Sequence, residues 1–127
     1  MKGIFVNERG AGFYARWIVN GSKTIETRNR DMLSACVGER VAIVRTRKNT
    51  IPHTAPMIVG YVTITEKSFC KAEDFQKHFK EHLVLPGTAY DATEKGKWLY
   101  YLANAETCEP YPLPSSAVRH GRSWCEF

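Results

Sequence analysis

A short helical pattern followed at once by a strand with a charged face is the sequence feature that most limits the possible folds. The apolar residues of segment 13–20 recur at the spacing of three and four that marks one helical face, and Gly21 is suited to end that helix. Segment 24–29 then alternates, so that Thr24, Glu26 and Arg28 point to one side of a strand. Such a row either faces water or lines a pocket, and Lys23 is expected at its mouth.

Further short strands and a second helix are predicted along the rest of the chain. Residues rich in Val, Ile, Thr and aromatic side chains indicate strands at 3–6, 39–46, 57–66, 97–103 and 121–127. Segments 7–12 and 85–96 are typical of loops, and the three prolines of 109–114 require an extended chain. Together these elements predict an α+β architecture or a small barrel with flanking helices.

The second helix is predicted over residues 71–83. Acidic residues come early in this segment and Lys and His come late, as the helix dipole favours. Its apolar stripe consists of Ala72, Phe75, Phe79 and Leu83. His78 and His82 have the spacing of metal ligands, but their charged neighbours suggest an exposed face without a third ligand. No metal and no cofactor are therefore expected.

Length and composition are those of an ordinary globular domain. With 127 residues, the chain is expected to form one domain over residues 1–127 around one core. The formal net charge of +5 favours anionic partners. The four cysteines lack a Cys-x-x-Cys pair, so reduced and mostly buried thiols are expected. No stretch approaches the ~20 apolar residues of a membrane span, which predicts a cytoplasmic protein without a membrane partner.

Residues 20–30 read Asn-Gly-Ser-Lys-Thr-Ile-Glu-Thr-Arg-Asn-Arg, and this run resembles the signature of ASCH domains, a branch of the PUA-like superfamily. The family pattern is Gly-x-Lys-Thr-x-Glu-x-Arg after a short helix. Similar steps at 38–41, 58–62, 104–105 and 121–124 extend the resemblance over nearly the whole chain. Many members carry Gln-Pro before the first helix, where this chain has Gly12-Phe13. The resemblance implies a small PUA-like β-barrel of about five or six strands with two or more flanking helices.

The resemblance also implies a nucleic-acid-binding module for RNA or for a modified nucleobase or nucleotide. Arg28 offers a planar set of donors and Lys23 a mobile charge, both suited to phosphate, while Glu26 can accept a hydrogen bond from an amine of a base. Tyr14 can add a stacking face, whereas Trp17 fits the apolar stripe of the helix. The candidate binding residues are Tyr14, Lys23, Thr24, Glu26, Arg28, Arg30, Arg45 and Arg47.

A small hydrolase is the alternative that the same resemblance implies. Some ASCH relatives resemble amidohydrolases acting on acylated cytidine, and another is described as a ribonuclease. In this case Lys23 and Glu26 would be catalytic, with Glu26 as general base and Lys23 stabilising the developing oxyanion. Glu26 stands where the amidohydrolase carries its Thr, so that nucleophile is missing here. Enzymatic activity is left open at this point.

Plainer interpretations compete with both functions. Lys23, Glu26 and Arg28 can form a solvated row of ion pairs on an edge strand, which contributes little to stability. The basic run 45–48 can be a solvated loop rather than a track for a nucleic-acid backbone. The pocket can also bind a partner peptide. The oligomeric state is not predicted.

Overall fold

The computed structural model describes residues 1–8, 12–47 and 55–127, with the backbone alone described for Arg47. Its strands are β1 (Lys2–Asn7), β2 (Ile25–Arg28), β3 (Arg40–Arg47), β4 (Met57–Cys70), β5 (Lys97–Pro112), β6 (Val118–His120) and β7 (Trp124–Glu126). Its α-helices are α1 (Tyr14–Val19) and α2 (Phe79–His82), and 3₁₀ helices span Ser34–Cys36 and Ala72–His78. Among these described helices, none has the length and apolar character that crossing a membrane requires.

All seven described strands belong to one mixed sheet with the order β2-β5-β4-β3-β1-β7-β6. Strand β1 runs parallel to β3 and antiparallel to β7, and the other pairs are antiparallel. The predicted combination of a sheet with a few helices is confirmed. The sheet has seven strands instead of five or six because two antiparallel three-residue strands, β6 and β7, lie within 118–126, where a single strand over 121–127 was predicted.

The main core lies between the sheet and the helices, and a smaller cluster packs on the opposite face. Alternation along β1 sends Ile4 and Val6 into the main core and Phe5 into the smaller cluster. Helix α1 closes the main core with Ala15 and Ile18, which are fully buried. Burial of the Ile18 side chain stabilises the fold by about 1.5 to 3 kcal/mol through the removal of apolar surface from water.

The second helix is shorter and tighter than the pattern over 71–83 predicts. A 3₁₀ helix covers Ala72–His78, α2 covers only Phe79–His82, and Leu83 ends it in the left-handed conformation with a φ of 60°. Phe75 is buried, as its place on the apolar stripe requires. His82 was expected on an exposed face, and this is wrong, because the irregular winding turns its ring inward to stack on Phe75 at 4.1 Å.

His82 is held by hydrogen bonds at both ring nitrogens. Nε2 lies 2.9 Å from the carbonyl oxygen of Phe75, and Nδ1 accepts a hydrogen bond from the backbone N–H of Val84 at 2.9 Å. These roles fit a neutral imidazole with its proton on Nε2. Burial lowers the pKa of His82 below its usual 6.5.

Stability is therefore expected to fall as the pH drops below about 6.5, because the unfolded chain then protonates His82 while the folded chain does not. Urea unfolding at pH 7.5 and pH 5.5 measures this difference. In a His82→Gln variant the part of the pH dependence due to this ring should vanish. An unchanged pH dependence in the variant would assign the effect to other groups.

All four cysteines are free thiols, in agreement with the prediction. Cys36, Cys70 and Cys125 are buried, and Cys108 is partly exposed. Burial raises the pKa of Cys36 to about 11, so this thiol stays protonated and unreactive at neutral pH.

Candidate functional site

A cavity of about 410 Å³ opens beside strand β2, at one end of the sheet order. Its walls come from β1, the start of α1, the segment 23–32, the loop before β5 and the segment 119–122. The charged side chains along it are Lys23, Glu26, Arg28, Lys97, Arg119 and Arg122, and the aromatic ones are Phe5, Tyr14 and Tyr90. Cations thus outnumber carboxylates in a recess that also offers aromatic surface.

The turn after α1 places Lys23 inside the protein. Gly21 adopts a φ of 84°, a conformation that favours glycine, and the N–H of Lys23 then donates to the carbonyl oxygen of Trp17 at 2.8 Å. This geometry buries Lys23, whose side chain is only 1% exposed. The predicted link between the helix end and the charged strand is therefore present, but Lys23 lies at the depth of the cavity and not at its mouth.

Thr24 does not share the cavity with its neighbours. Its backbone is held by the carbonyl oxygen of Glu81 and the N–H of Leu102, each at 2.9 Å. Strand β2 begins only at Ile25, and the side chain of Thr24 is exposed and outside the lining of the cavity. The predicted row of Thr24, Glu26 and Arg28 is thus corrected, because Thr24 lies before the strand and its side chain is exposed.

The ammonium of Lys23 contacts three groups. It donates to the backbone carbonyl oxygen of His82, lies 3.8 Å from Oε1 of Glu26, and stands 5.2 Å from the ring centre of Tyr14. Burial lowers the pKa of Lys23 to about 8, although the charge of Glu26 acts to raise it. Lys23 is therefore protonated at neutral pH but gives up its proton far more readily than a surface lysine.

Glu26 is the carboxylate that forms ion pairs with both Lys23 and Arg28. Its Oε1 accepts a hydrogen bond from the N–H of Thr27, and its Oε2 accepts one from Nη2 of Arg28, each at 3.0 Å. Burial by itself would raise the pKa of Glu26, but the charges of Arg28 and Lys23 and the Thr27 hydrogen bond outweigh it and lower the pKa below its ordinary value. The carboxylate is ionised at neutral pH.

Arg28 is anchored through one of its terminal nitrogens. Nη2 donates to the carbonyl oxygen of Phe5 at 2.6 Å as well as to Glu26, whereas Nη1 lies 4.0 Å from the thioether of Met32. Sulfur is a weak acceptor, so Nη1 keeps the capacity to donate to a ligand. The side chain lines the cavity with its guanidinium already oriented.

Tyr14 belongs to both the core and the cavity wall. Its ring is 5% exposed and makes edge-to-face contacts with Trp17 and Tyr90, each with a centroid distance of 5.6 Å. Trp17 packs against the main core, as its place on the apolar stripe predicts. Tyr14 and Tyr90 together form the aromatic side of the cavity.

The predicted basic residues outside segment 23–28 do not join this cavity. Arg30 is exposed and borders a second recess with residues 93–96. Arg45 is half-buried on β3 and does not line the cavity, and its Nε is buried without a hydrogen-bond partner in the described part of the chain. The side chain of Arg47 and all of Lys48 lie outside the described residues. Of the eight predicted residues, the structure brings together Tyr14, Lys23, Glu26 and Arg28.

Lys97, Arg119 and Arg122 line the cavity but were not predicted. Lys97 is the first residue of β5 and becomes a neighbour of the site only through the pairing of β5 with β2, in which Arg28 lies opposite Trp98. Burial lowers the pKa of Lys97. The available signal in the sequence was a lysine at the start of a strand otherwise rich in aromatic residues.

Comparison with known proteins identifies the family of this chain and solved structures with a similar fold. The family model for the ASCH domain matches residues 13–112. An ASCH protein from Zymomonas mobilis has a crystal structure with 19% sequence identity and a TM-score of 0.66, covering 87% of this chain and 73% of that one. Two single-residue mutants of that protein match at 18% and 20% identity, each with a TM-score of 0.65. No curated protein matches this chain.

Proposed function

Because this chain belongs to the ASCH domain family, we propose that its cavity binds RNA or a nucleotide-like ligand. The observation that carries the proposal is the group of buried charges on β2 and the preceding turn, in which Glu26 holds Lys23 and Arg28 against one wall. Burying charges is costly unless they are paired with each other or with a ligand. A recess lined with oriented donors and aromatic rings is suited to a polar, planar and anionic ligand.

The size and the lining of the cavity suit a single nucleotide unit. Its volume of about 410 Å³ falls in the usual range for small-molecule sites. Tyr14 and Tyr90 offer aromatic surface to a base, and Nη1 of Arg28 offers a donor to an oxygen of a base or phosphate. The net positive charge of the chain favours the approach of an anion through long-range attraction.

Strand β2 adds backbone groups to the site from the edge of the sheet, although Ile25, Glu26 and Thr27 are buried. Strand β2 stands at the end of the sheet order and pairs with β5 on one side. At its other side the N–H of Thr27 donates to the carboxylate of Glu26 instead of to a strand. An edge strand presents backbone donors and acceptors, so a base placed here can be read by main-chain atoms as well as by Glu26.

Binding is expected to weaken about tenfold or more when the charge of Lys23 is removed, since the ammonium acts in a desolvated site. Fluorescence polarisation of short labelled RNA and DNA at low salt measures this with Lys23→Met. The matched control is Lys77→Met, which makes the same change in total charge at a side chain that is 74% exposed. Absence of binding by the unaltered protein, or an equal loss in both variants, would overturn the proposal.

Hydrolysis is the second candidate, and one observation favours it. An amine with a pKa of about 8 beside a carboxylate can accept or donate a proton near neutral pH. Glu26 is a poor general base here because its pKa is lowered and both of its oxygens are engaged. If the protein is an enzyme, we propose that Lys23 carries the proton transfer.

Chromatography of N4-acetylcytidine and of a labelled RNA after incubation with the protein tests this second candidate. Product formation that is lost in Lys23→Met would support it, with Lys77→Met as control. Intact substrates after prolonged incubation with a protein that binds them would leave binding as the function.

We also propose that residues 1–127 act as one domain and that its curved sheet approaches a barrel. Strand β7 pairs with β1, which ties the last strand to the first one. The ammonium of Met1 donates to the carbonyl oxygen of Phe127 at 2.6 Å. The pairings of the described strands do not join β2 to β6, so closure of a barrel stays a prediction, as does a cytoplasmic location.

A further inference from the structure

Lys97 is a buried cation whose ammonium has no ion-pair or hydrogen-bond partner among the residues that the structure describes. It is 3% exposed and lines the cavity from the start of β5. The ammonium is not among the side-chain nitrogen atoms that are buried without a partner, so it reaches the open space of the cavity. It is therefore available to a partner that the chain itself does not supply.

The other buried charges cannot serve as that partner. The carboxylate of Glu26 is already shared between Lys23 and Arg28, at 3.8 Å and 3.0 Å. Burial lowers the pKa of Lys97 most, the charges of Glu26 and Asp91 act to raise it, and the charge of Arg28 acts to lower it. Asp91 does not line the cavity. Three cations thus face one carboxylate in the depth of the cavity, and an anion is the group that would balance them.

Basic residues continue from the depth of the cavity to its mouth. Arg119 and Arg122 are exposed side chains that line the entrance. The guanidinium of Arg119 stands 5.0 Å from the ring centre of Phe5, which holds it beside the cavity. An entering anion therefore meets positive charge along its whole path.

Resting on the proposed function, we propose that Lys97 binds the phosphate group of the ligand, so that the pocket selects a nucleotide or a phosphodiester over the free nucleoside. A lysine is a compact point charge that suits phosphate, and inside a desolvated recess such a contact discriminates strongly. In this arrangement Tyr14 and Glu26 contact the base while Lys97 contacts the phosphate. The phosphate comes either from a free nucleotide or from the backbone of RNA.

Isothermal titration calorimetry with the four nucleoside 5′-monophosphates, their nucleosides and a short single-stranded RNA tests the assignment. Lys97→Met should weaken nucleotide binding about 30-fold or more and leave nucleoside binding unchanged. The control is Lys95→Met, two positions earlier on an exposed side chain outside the cavity, which should behave as the unaltered protein. Loss of affinity for RNA alone would identify the backbone as the source of the phosphate, and loss for the monophosphates would identify a free nucleotide.

Two results would overturn the assignment while the proposed function stands. One is an unchanged nucleotide affinity in Lys97→Met together with a loss in Lys23→Met. The other is a Lys97→Met protein that is less stable to heat than the unaltered one, because the ammonium would then stabilise the folded protein. If the unaltered protein binds none of these ligands, the proposed function itself fails.

Discussion

Replacing Glu26 with glutamine is expected to lower the free energy of unfolding by about 3 to 5 kcal/mol, the usual cost of leaving buried charges without their partner. The carboxylate joins two cations, with Oε2 at 3.0 Å from Arg28 and Oε1 at 3.8 Å from Lys23. Glutamine keeps the size of the side chain and an oxygen for the N–H of Thr27, so packing is preserved. The loss in the free energy of unfolding therefore measures the contribution of the negative charge of Glu26.

Urea unfolding at pH 7 followed by circular dichroism measures this change. The control is Glu106→Gln, which removes an ion pair with Arg40 at an exposed site and should cost at most about 1 kcal/mol. Because the folded pKa of Glu26 is lowered, its stabilisation is present above the unfolded value near 4.5 and is lost as the pH falls below it. A Glu26→Gln protein as stable as the unaltered one at pH 7 would contradict this description of the site.

Gly60→Ala is expected to destabilise the protein by about 3 kcal/mol or more, at the upper end of what overpacking a core costs. Gly60 is the fourth of the 14 residues of β4, where the sheet passes under α1. A Cβ at this position would come within 2.1 Å of the carbonyl oxygen of Glu106 on β5 and within 2.7 Å of the side chain of Val19 on α1. Neither the backbone of a paired strand nor a packed helix can move away cheaply.

Gly38→Ala is the matched control for this substitution. Gly38 has a φ of 85° and open space around its α-carbon, so alanine there meets a strained backbone but no neighbour. We expect a cost of about 1 kcal/mol at Gly38. Thermal unfolding of both variants compares the two effects. Equal losses would show that Gly60 is required for backbone conformation and not for the close approach of α1 to the sheet.

Helical spacing and strand alternation predicted the part of the site whose residues are close together in sequence. The helical spacing over 13–20 and the glycine after it predicted α1 and its end, and the alternation after Lys23 predicted a strand carrying Glu26 and Arg28. These features depend on neighbouring residues alone, and the sequence therefore contains them directly. The exception is Thr24, because nothing in the alternation marks where the turn stops and the strand starts.

The rest of the site depends on contacts between distant segments. Lys97 reaches the cavity because β5 pairs with β2, and Arg119 and Arg122 reach it because β6 and β7 fold back beside β1. Periodicity carries no information about such pairings. The length of β5 was underestimated for a related reason, since its second half is largely exposed and shows no apolar alternation. His82 was misplaced because a 3₁₀ segment shifts every later side chain around the helix.

A titration of the ¹⁵N-labelled protein with a nucleoside monophosphate and with short RNA, followed by two-dimensional NMR, tests most directly whether the cavity is the binding site. The amide signals of Tyr14, of residues 23–29 and of Lys97 should shift together with one dissociation constant. The exposed ion pair of Arg40 and Glu106, at the start of β3 and outside the lining of the cavity, marks a surface that should not respond. Shifts centred on Arg40 and Glu106, or none at saturating ligand, would contradict the proposed site.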